Sequence, residues 1–198
     1  MKNLTLLFFL VLFFSCKNES NNKTDTDVSG ESTTTAAAPS PAAAQPAANA
    51  SQPSKKLDAV LTLAASSPAI RAGQVGCISV TCVGFVDLVS MQYTMIWDKN
   101  VLQFNGVKGF NLPYLGKSNF GAHRSAEGEL TFVWIDESLK GVTKDDGTAI
   151  FEVCFTATGS TGEATAFQFT DKPTLIEAVH KSVREVNFKG LEGVVKVE

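Results

Sequence analysis

From Leu88 to Phe155 the chain keeps returning to one pattern: a large apolar residue at every second position. The runs are Asp87-Leu-Val-Ser-Met-Gln-Tyr-Thr-Met-Ile-Trp-Asp98, Val101-Leu102-Gln103-Phe104, Gly128-Glu-Leu-Thr-Phe-Val-Trp-Ile-Asp136 and Asp146-Gly-Thr-Ala-Ile-Phe-Glu-Val-Cys-Phe155. In an extended chain successive side chains point to opposite faces, so a period of two marks a strand with one buried face. The same reading predicts strands at Asp58–Ala64, Cys77–Val83, Val89–Asp98, Leu102–Lys108, Asn119–Ala122, Glu129–Asp136, Ala149–Thr158, Ala166–Thr170, Leu175–Val179 and Val194–Val197. Turn signals fall between them: Arg71-Ala-Gly-Gln, Asp98-Lys-Asn, Glu127-Gly128, Asp145-Asp-Gly, Gly159-Ser-Thr-Gly162 and Lys189-Gly190. No stretch of helical period rivals these strands. Many short strands at this spacing favour an all-β sandwich over an α/β arrangement.

The ends of the chain differ in kind. Lys2 is followed by an almost wholly apolar run from Leu4 to Phe14, then Ser15-Cys16. That run is too short for a permanent membrane span and reads as a targeting segment, residues 1–16. It resembles a bacterial lipoprotein signal, in which Cys16 becomes the lipidated N-terminus. Phe13 stands where that signal most often has Leu. The alternative is an ordinary secretory peptide with an incidental Cys. Residues 17–56 have no apolar periodicity. Lys17 to Thr35 is mostly Asn, Ser, Thr, Asp and Glu, and Ala36 to Pro53 is Ala and Pro with Ser and Gln. Such composition cannot bury enough apolar surface to offset the entropy of ordering. Its Pro-rich half is expected to be an extended tether, since Pro46 breaks any helix through Ala42 to Ala50. The expectation is an exported protein held at a bacterial outer membrane, facing the periplasm or the surface. Residues 57–198 remain for one folded domain.

The net charge is −3 and no basic block occurs, which argues against a nucleic-acid partner. Catalytic chemistry finds little support. His123 and His180 are the only histidines, and each reads as a solvated loop residue. Of the carboxylate pairs, Glu127/Glu129 shares a strand edge, and Asp136/Glu137 and Asp145/Asp146 are sequence neighbours in turns. A glycosidase needs two carboxyls facing each other across a cleft, so these read as solvated turn residues. Asp145-Asp-Gly offers carboxylate oxygens to calcium, the alternative reading, but lacks the alternating Asp/Asn spacing of a dedicated calcium loop; the expectation is no metal and no cofactor. Trp97 and Trp134 fall on inward parity with Met91, Tyr93, Met95, Leu130 and Phe132. A flat row of exposed aromatics for stacking on sugar is therefore not apparent. Tyr114, in Asn111-Leu-Pro-Tyr-Leu-Gly116, is the aromatic expected to be exposed, and it is the candidate contact for a carbohydrate-binding alternative.

Parity also sorts the outward faces. Ser90, Gln92, Thr94 and Ile96 point out from one strand, and Glu129, Thr131, Val133 and Ile135 from another. Cys77 and Cys154 point out from their strands, whereas Cys82 points in. With Cys16 assigned to lipid, an odd number of cysteines remains.

The order of these segments resembles a cohesin domain. A strand ends in aromatic-Asp, a short turn leads to Val101-Leu102-Gln103-Phe104, a Gly-x-Leu-x-Phe-x-aromatic strand follows, and Asp-Gly-Thr precedes the next apolar strand. The resemblance spans roughly residues 57–198. It implies a jelly-roll β-sandwich of about nine strands, a fold shared with carbohydrate-binding domains. It also implies a non-catalytic module that binds another protein. In cohesin order the strands of Cys77 and Cys154 are neighbours, which implies a cross-strand disulfide with Cys82 left as a free, buried thiol; three free thiols are the alternative. The strands of Ile96 and Val133 are neighbours too. Ser90, Gln92, Thr94, Ile96, Thr131, Val133 and Ile135 then form an apolar patch with a polar rim, as binding sites do. Cohesins meet their dockerin partner on this sheet. Ser90 and Gln92 replace the Asn and Asp that many of them carry there. The alternative is that the tether or the Phe110–Leu115 loop covers the patch. The functional expectation is a lipid-anchored module that holds a dockerin-like or other protein, linked to polysaccharide use. A carbohydrate-binding module or a structural envelope protein is the rival.

Overall fold

The structure, a computed structural model, describes residues 56–198. Cys16, the targeting segment and residues 17–55 of the tether lie outside the described residues. Twelve strands follow in order: β1 (Leu57–Ala65), β2 (Ala69–Ile70), β3 (Val75–Val83), β4 (Leu88–Ile96), β5 (Leu102–Lys108), β6 (Phe120–Gly121), β7 (Glu129–Ile135), β8 (Thr148–Ala157), β9 (Ala164–Thr170), β10 (Glu177–His180), β11 (Arg184–Leu191) and β12 (Gly193–Val197). Two single 3-10 turns, Lys117–Asn119 and Ser125–Glu127, flank β6. The all-β jelly-roll architecture is the expected one, with more strands than the nine anticipated.

One layer is the antiparallel run β1-β3-β8-β5, with β11 added parallel to β1. The other is centred on β4. One edge of β4 pairs with β7 from Ser90 to Ile96, and β6 pairs beyond β7. The other edge changes partner midway, from β10 along Leu88–Gln92 to β9 along Thr94–Ile96. β12 and β2 continue outward from β9. β11 pairs with β10 at only two positions before joining β1, so it is the seam where one layer runs into the other.

The inward residues are those the alternation selects. Tyr93, Phe132, Trp134, Phe151, Phe155 and Phe167 are fully buried. Rings meet across the layers: Phe132 to Phe151 at 5.3 Å, Trp97 to Phe155 at 4.9 Å and Phe120 to Phe151 at 5.1 Å. Each large apolar side chain so buried contributes about 1.5–3 kcal/mol. The indole N–H of Trp97 donates to Leu102 O and that of Trp134 to Pro113 O, so neither leaves a polar atom stranded in the core.

β11 was not anticipated, and Lys189-Gly190, expected to form a turn, lies inside it. Its inward side shows only Val186 and the half-buried Phe188, between exposed Asn187 and Lys189, before the glycine that reads as a turn. Gly190 is there for packing: a Cβ would sit 2.9 Å from the side chain of Phe169. The segment expected as Asn119–Ala122 shortens to β6. Asp136 is also reassigned. It is buried rather than solvated, and its carboxylate accepts from the Ser138 hydroxyl at 2.7 Å and the Gly141 N–H at 3.0 Å. These bonds tie the loop that leaves β7, and the Ser138 hydroxyl first among them holds the carboxyl below the usual carboxylate range.

Candidate functional site

The outer face of the β4–β7 pair is built in rows. Ile135 lies opposite Ser90, Val133 opposite Gln92, Thr131 opposite Thr94 and Glu129 opposite Ile96. On the other side of β4, Glu177 lies opposite Gln92, and its carboxylate accepts from the Gln92 amide at 3.4 Å. One row therefore crosses three strands as Glu177–Gln92–Val133. Val133 is 42% exposed and Ile135 51% exposed, while the intervening Trp134 is fully buried. Ser90, Gln92 and Thr131 are half-buried between them.

Two of the seven expected residues do not join this strip. Thr94 is 0% exposed. Its hydroxyl accepts the Thr174 N–H at 3.2 Å, because the chain between β9 and β10 crosses over it. Ile96 is half-buried and sits two rows from Val133. At the sheet's spacing that is roughly 14 Å, so it is not part of one patch with Val133 and Ile135.

Tyr114 does join it. The loop before β6 is pinned to β7 from both sides. Pro113 O takes the Trp134 indole N–H at 2.7 Å, and the Asn119 amide donates to Val133 O at 2.9 Å while its oxygen accepts the Gly116 N–H at 2.8 Å. Held this way, Tyr114 adopts φ 60° and is 53% exposed. The loop lines the strip rather than covering it. A cleft of about 540 Å³ runs between Tyr114, Ser118 and Asn119 on one wall and Thr131, Val133 and Ile135 on the other, with Glu137 at its end. A smaller recess of about 90 Å³ lies on the other side of Val133, bordered by Ser90, Gln92 and Glu177. The protein-contact and sugar-contact candidates are thus one surface. Sequence reasoning missed Ser118, Asn119, Glu137 and Glu177. Only Glu137 adjoins the strip in sequence; the pairing that brings Glu177 beside Gln92 joins residues 85 apart.

The structure places a disulfide between Cys77 and Cys154, which face each other on β3 and β8, and leaves Cys82 buried with a free thiol. Burial pushes the Cys82 thiol up from its ordinary value, away from reactivity. The grouping of Cys77, Glu152 and Cys154 has ligand-like spacing, but its two sulfurs are spent on each other. The Arg124 guanidinium sits 2.9 Å from Glu127 and 3.3 Å from Glu129, so that carboxylate pair faces a cation and not a cleft. Asp146 accepts the Gly84 N–H at 2.8 Å. His123 is exposed, as expected. His180 is half-buried: its ring bonds to Ser182 at 2.9 Å and lies 3.9 Å from Asp87. Asp87 is in turn bound by Lys181 at 2.9 Å, the main reason its carboxyl is held below the usual range.

Neither a protein-family model nor a curated protein sequence matches the chain. Solved structures do. A type I cohesin–dockerin complex from Clostridium thermocellum contains a chain that is 16% identical, with a TM-score of 0.60, covering 74% of this chain and 99% of that one. A non-cellulosomal cohesin from Archaeoglobus fulgidus is 18% identical, with a TM-score of 0.52, over 71% of this chain and 92% of its own. A cohesin from Clostridium acetobutylicum is 12% identical, with a TM-score of 0.57, over 70% and 91%. These identities carry the fold and nothing finer. With the strand order, the two-layered aromatic core and these likenesses together, residues 57–198 have the cohesin fold, a jelly-roll β-sandwich.

Proposed function

We propose that residues 57–198 form a non-catalytic binding module that seats a protein partner on the outer face of β4 and β7. The observation that carries this is the strip of Val133, Ile135 and Tyr114, exposed side by side along one cleft. An apolar centre with a polar rim of Ser90, Gln92 and Thr131 suits a desolvated protein contact. The partner class is dockerin-like, in keeping with the cohesins of similar fold that were crystallised with dockerins. Cys16 carries the lipid, residues 17–56 form the tether, and the module serves polysaccharide use at the cell envelope. The test is calorimetric titration with a dockerin domain, using the parent and Val133→Asp. Saturable heat with the parent and none with a folded variant supports the reading. No heat from either removes the dockerin assignment.

A second reading has its own observation: Tyr114 shares its cleft with Ser118, Asn119, Thr131 and Glu137, the mixture of ring and hydrogen-bonding groups that a saccharide needs. A glycan array with Tyr114→Ala as control distinguishes it.

A further inference from the structure

Where β4 changes partner, residues 171–176 belong to no strand, and β11 swings away toward β1. A cleft of about 550 Å³ opens there between β9, β10 and β11. Phe169, Ile176, Val186 and Phe188 give it an apolar lining, and Leu175, 67% exposed, stands at its lip. Asp171, Glu177 and Glu185 border the same space, with Lys56 the one cation among the described residues that line it. Lys56 is spent on Glu185 at 3.4 Å. No cation among the described residues pairs with Asp171 or Glu177. Tyr93 packs against two of the lining rings, at 5.5 Å from Phe169 and 5.6 Å from Phe188. Its hydroxyl is buried and has no hydrogen-bond partner among the described residues.

We infer that this cleft is a second docking site, for a peptide segment carrying aliphatic side chains beside a lysine or arginine. The aliphatic groups cover Phe169 and Phe188. The cation meets Asp171 and Glu177, with which no cation among the described residues pairs. Glu177 also borders the recess beside Gln92 and Val133, so a protein seated on the β4–β7 face reaches this cleft without a break. That continuity rests on the proposed binding face; the cleft's own chemistry does not.

The test titrates nitrogen-labelled full-length protein with acetyl-Leu-Lys-Leu-Lys-amide and with acetyl-Leu-Glu-Leu-Glu-amide, following amide resonances by NMR. The basic peptide is expected to shift Phe169, Glu177 and Phe188, and the acidic one to leave them in place. The pair Asp171→Asn and Glu177→Gln, both exposed, is expected to weaken the basic peptide about fivefold. Val133→Asp is expected to leave its affinity unchanged, so failure of the β4–β7 reading shows separately. Absence of shifts, equal shifts from both peptides, or shifts confined to Val133 and Ile135 would overturn the inference.

Discussion

Val133 and Trp134 are neighbours in sequence and opposites in environment, and that contrast decides what a mutation at either does. A charge at the exposed Val133 stays in water in the free protein, so Val133→Asp is expected to change stability by no more than about 0.5 kcal/mol. In a desolvated interface the same charge is unpaired, and the loss of binding is expected to be several kcal/mol, on the order of a hundredfold or more. Ile135→Lys should behave alike. Thermal unfolding beside a titration checks both, and an unfolded Val133→Asp would show that its face is inward. Asp136 gives a prediction in pH. Its carboxyl is held below the usual range by the Ser138 hydroxyl and by backbone N–H groups, against the opposing effect of burial. A depressed carboxyl stabilises the fold above its unfolded value of about 3.9, and that contribution is lost as pH falls through the lower folded value. Asp136→Asn is therefore expected to unfold at lower urea than the parent at neutral pH, with the gap narrowing in acid. An equal gap at both would mean that the carboxylate's charge does not hold the loop. Parity in the sequence found Val133 and Ile135 as outward residues and both Trp as core. It misplaced Thr94, because the segment that covers it comes from 80 residues away.

At the level of elements, legibility followed amphipathicity. β7 alternates cleanly, β4 and β8 carry large apolar residues at most inward positions, and all three were located to within about two residues, the ordinary uncertainty of strand ends. β11 turns only Val186 and the half-buried Phe188 inward, and its contact with Phe169 requires a glycine, which sequence reads as a turn. Gly190→Ala is expected to cost about 1–3 kcal/mol through overpacking against Phe169, measurable in urea; no cost would mean the ring simply moves aside. The parallel pairing of β11 with β1 joins the two ends of the domain, and no local signal encodes it. The Cys77–Cys154 bond joins β3 to β8 across a separation of 77 residues. In the chain-entropy view, closing such a loop stabilises the fold by about 4 kcal/mol. The double variant Cys77→Ala, Cys154→Ala should lose an amount of that order in denaturant. A variant as stable as the parent would show that the backbone pairing of β3 and β8 alone suffices.

For the whole molecule, the proposal joins an anchor, a tether and a binding sheet. Cys16→Ser is expected to abolish incorporation of labelled fatty acid and to release the protein from the membrane fraction. Continued labelling and membrane retention would remove the anchor. The sheet carries the central claim: Val133 and Ile135 are exposed beside Tyr114, with Gln92 and Glu177 completing a row across β7, β4 and β10. The most direct measurement is methyl NMR of the protein titrated with a dockerin domain. The expected result is that the methyl signals of Val133 and Ile135 shift or broaden at saturation while those of the buried Leu61 and Val80 on the opposite layer stay in place. Saturable binding that leaves Val133 and Ile135 unmoved would contradict the account and place the partner on another face.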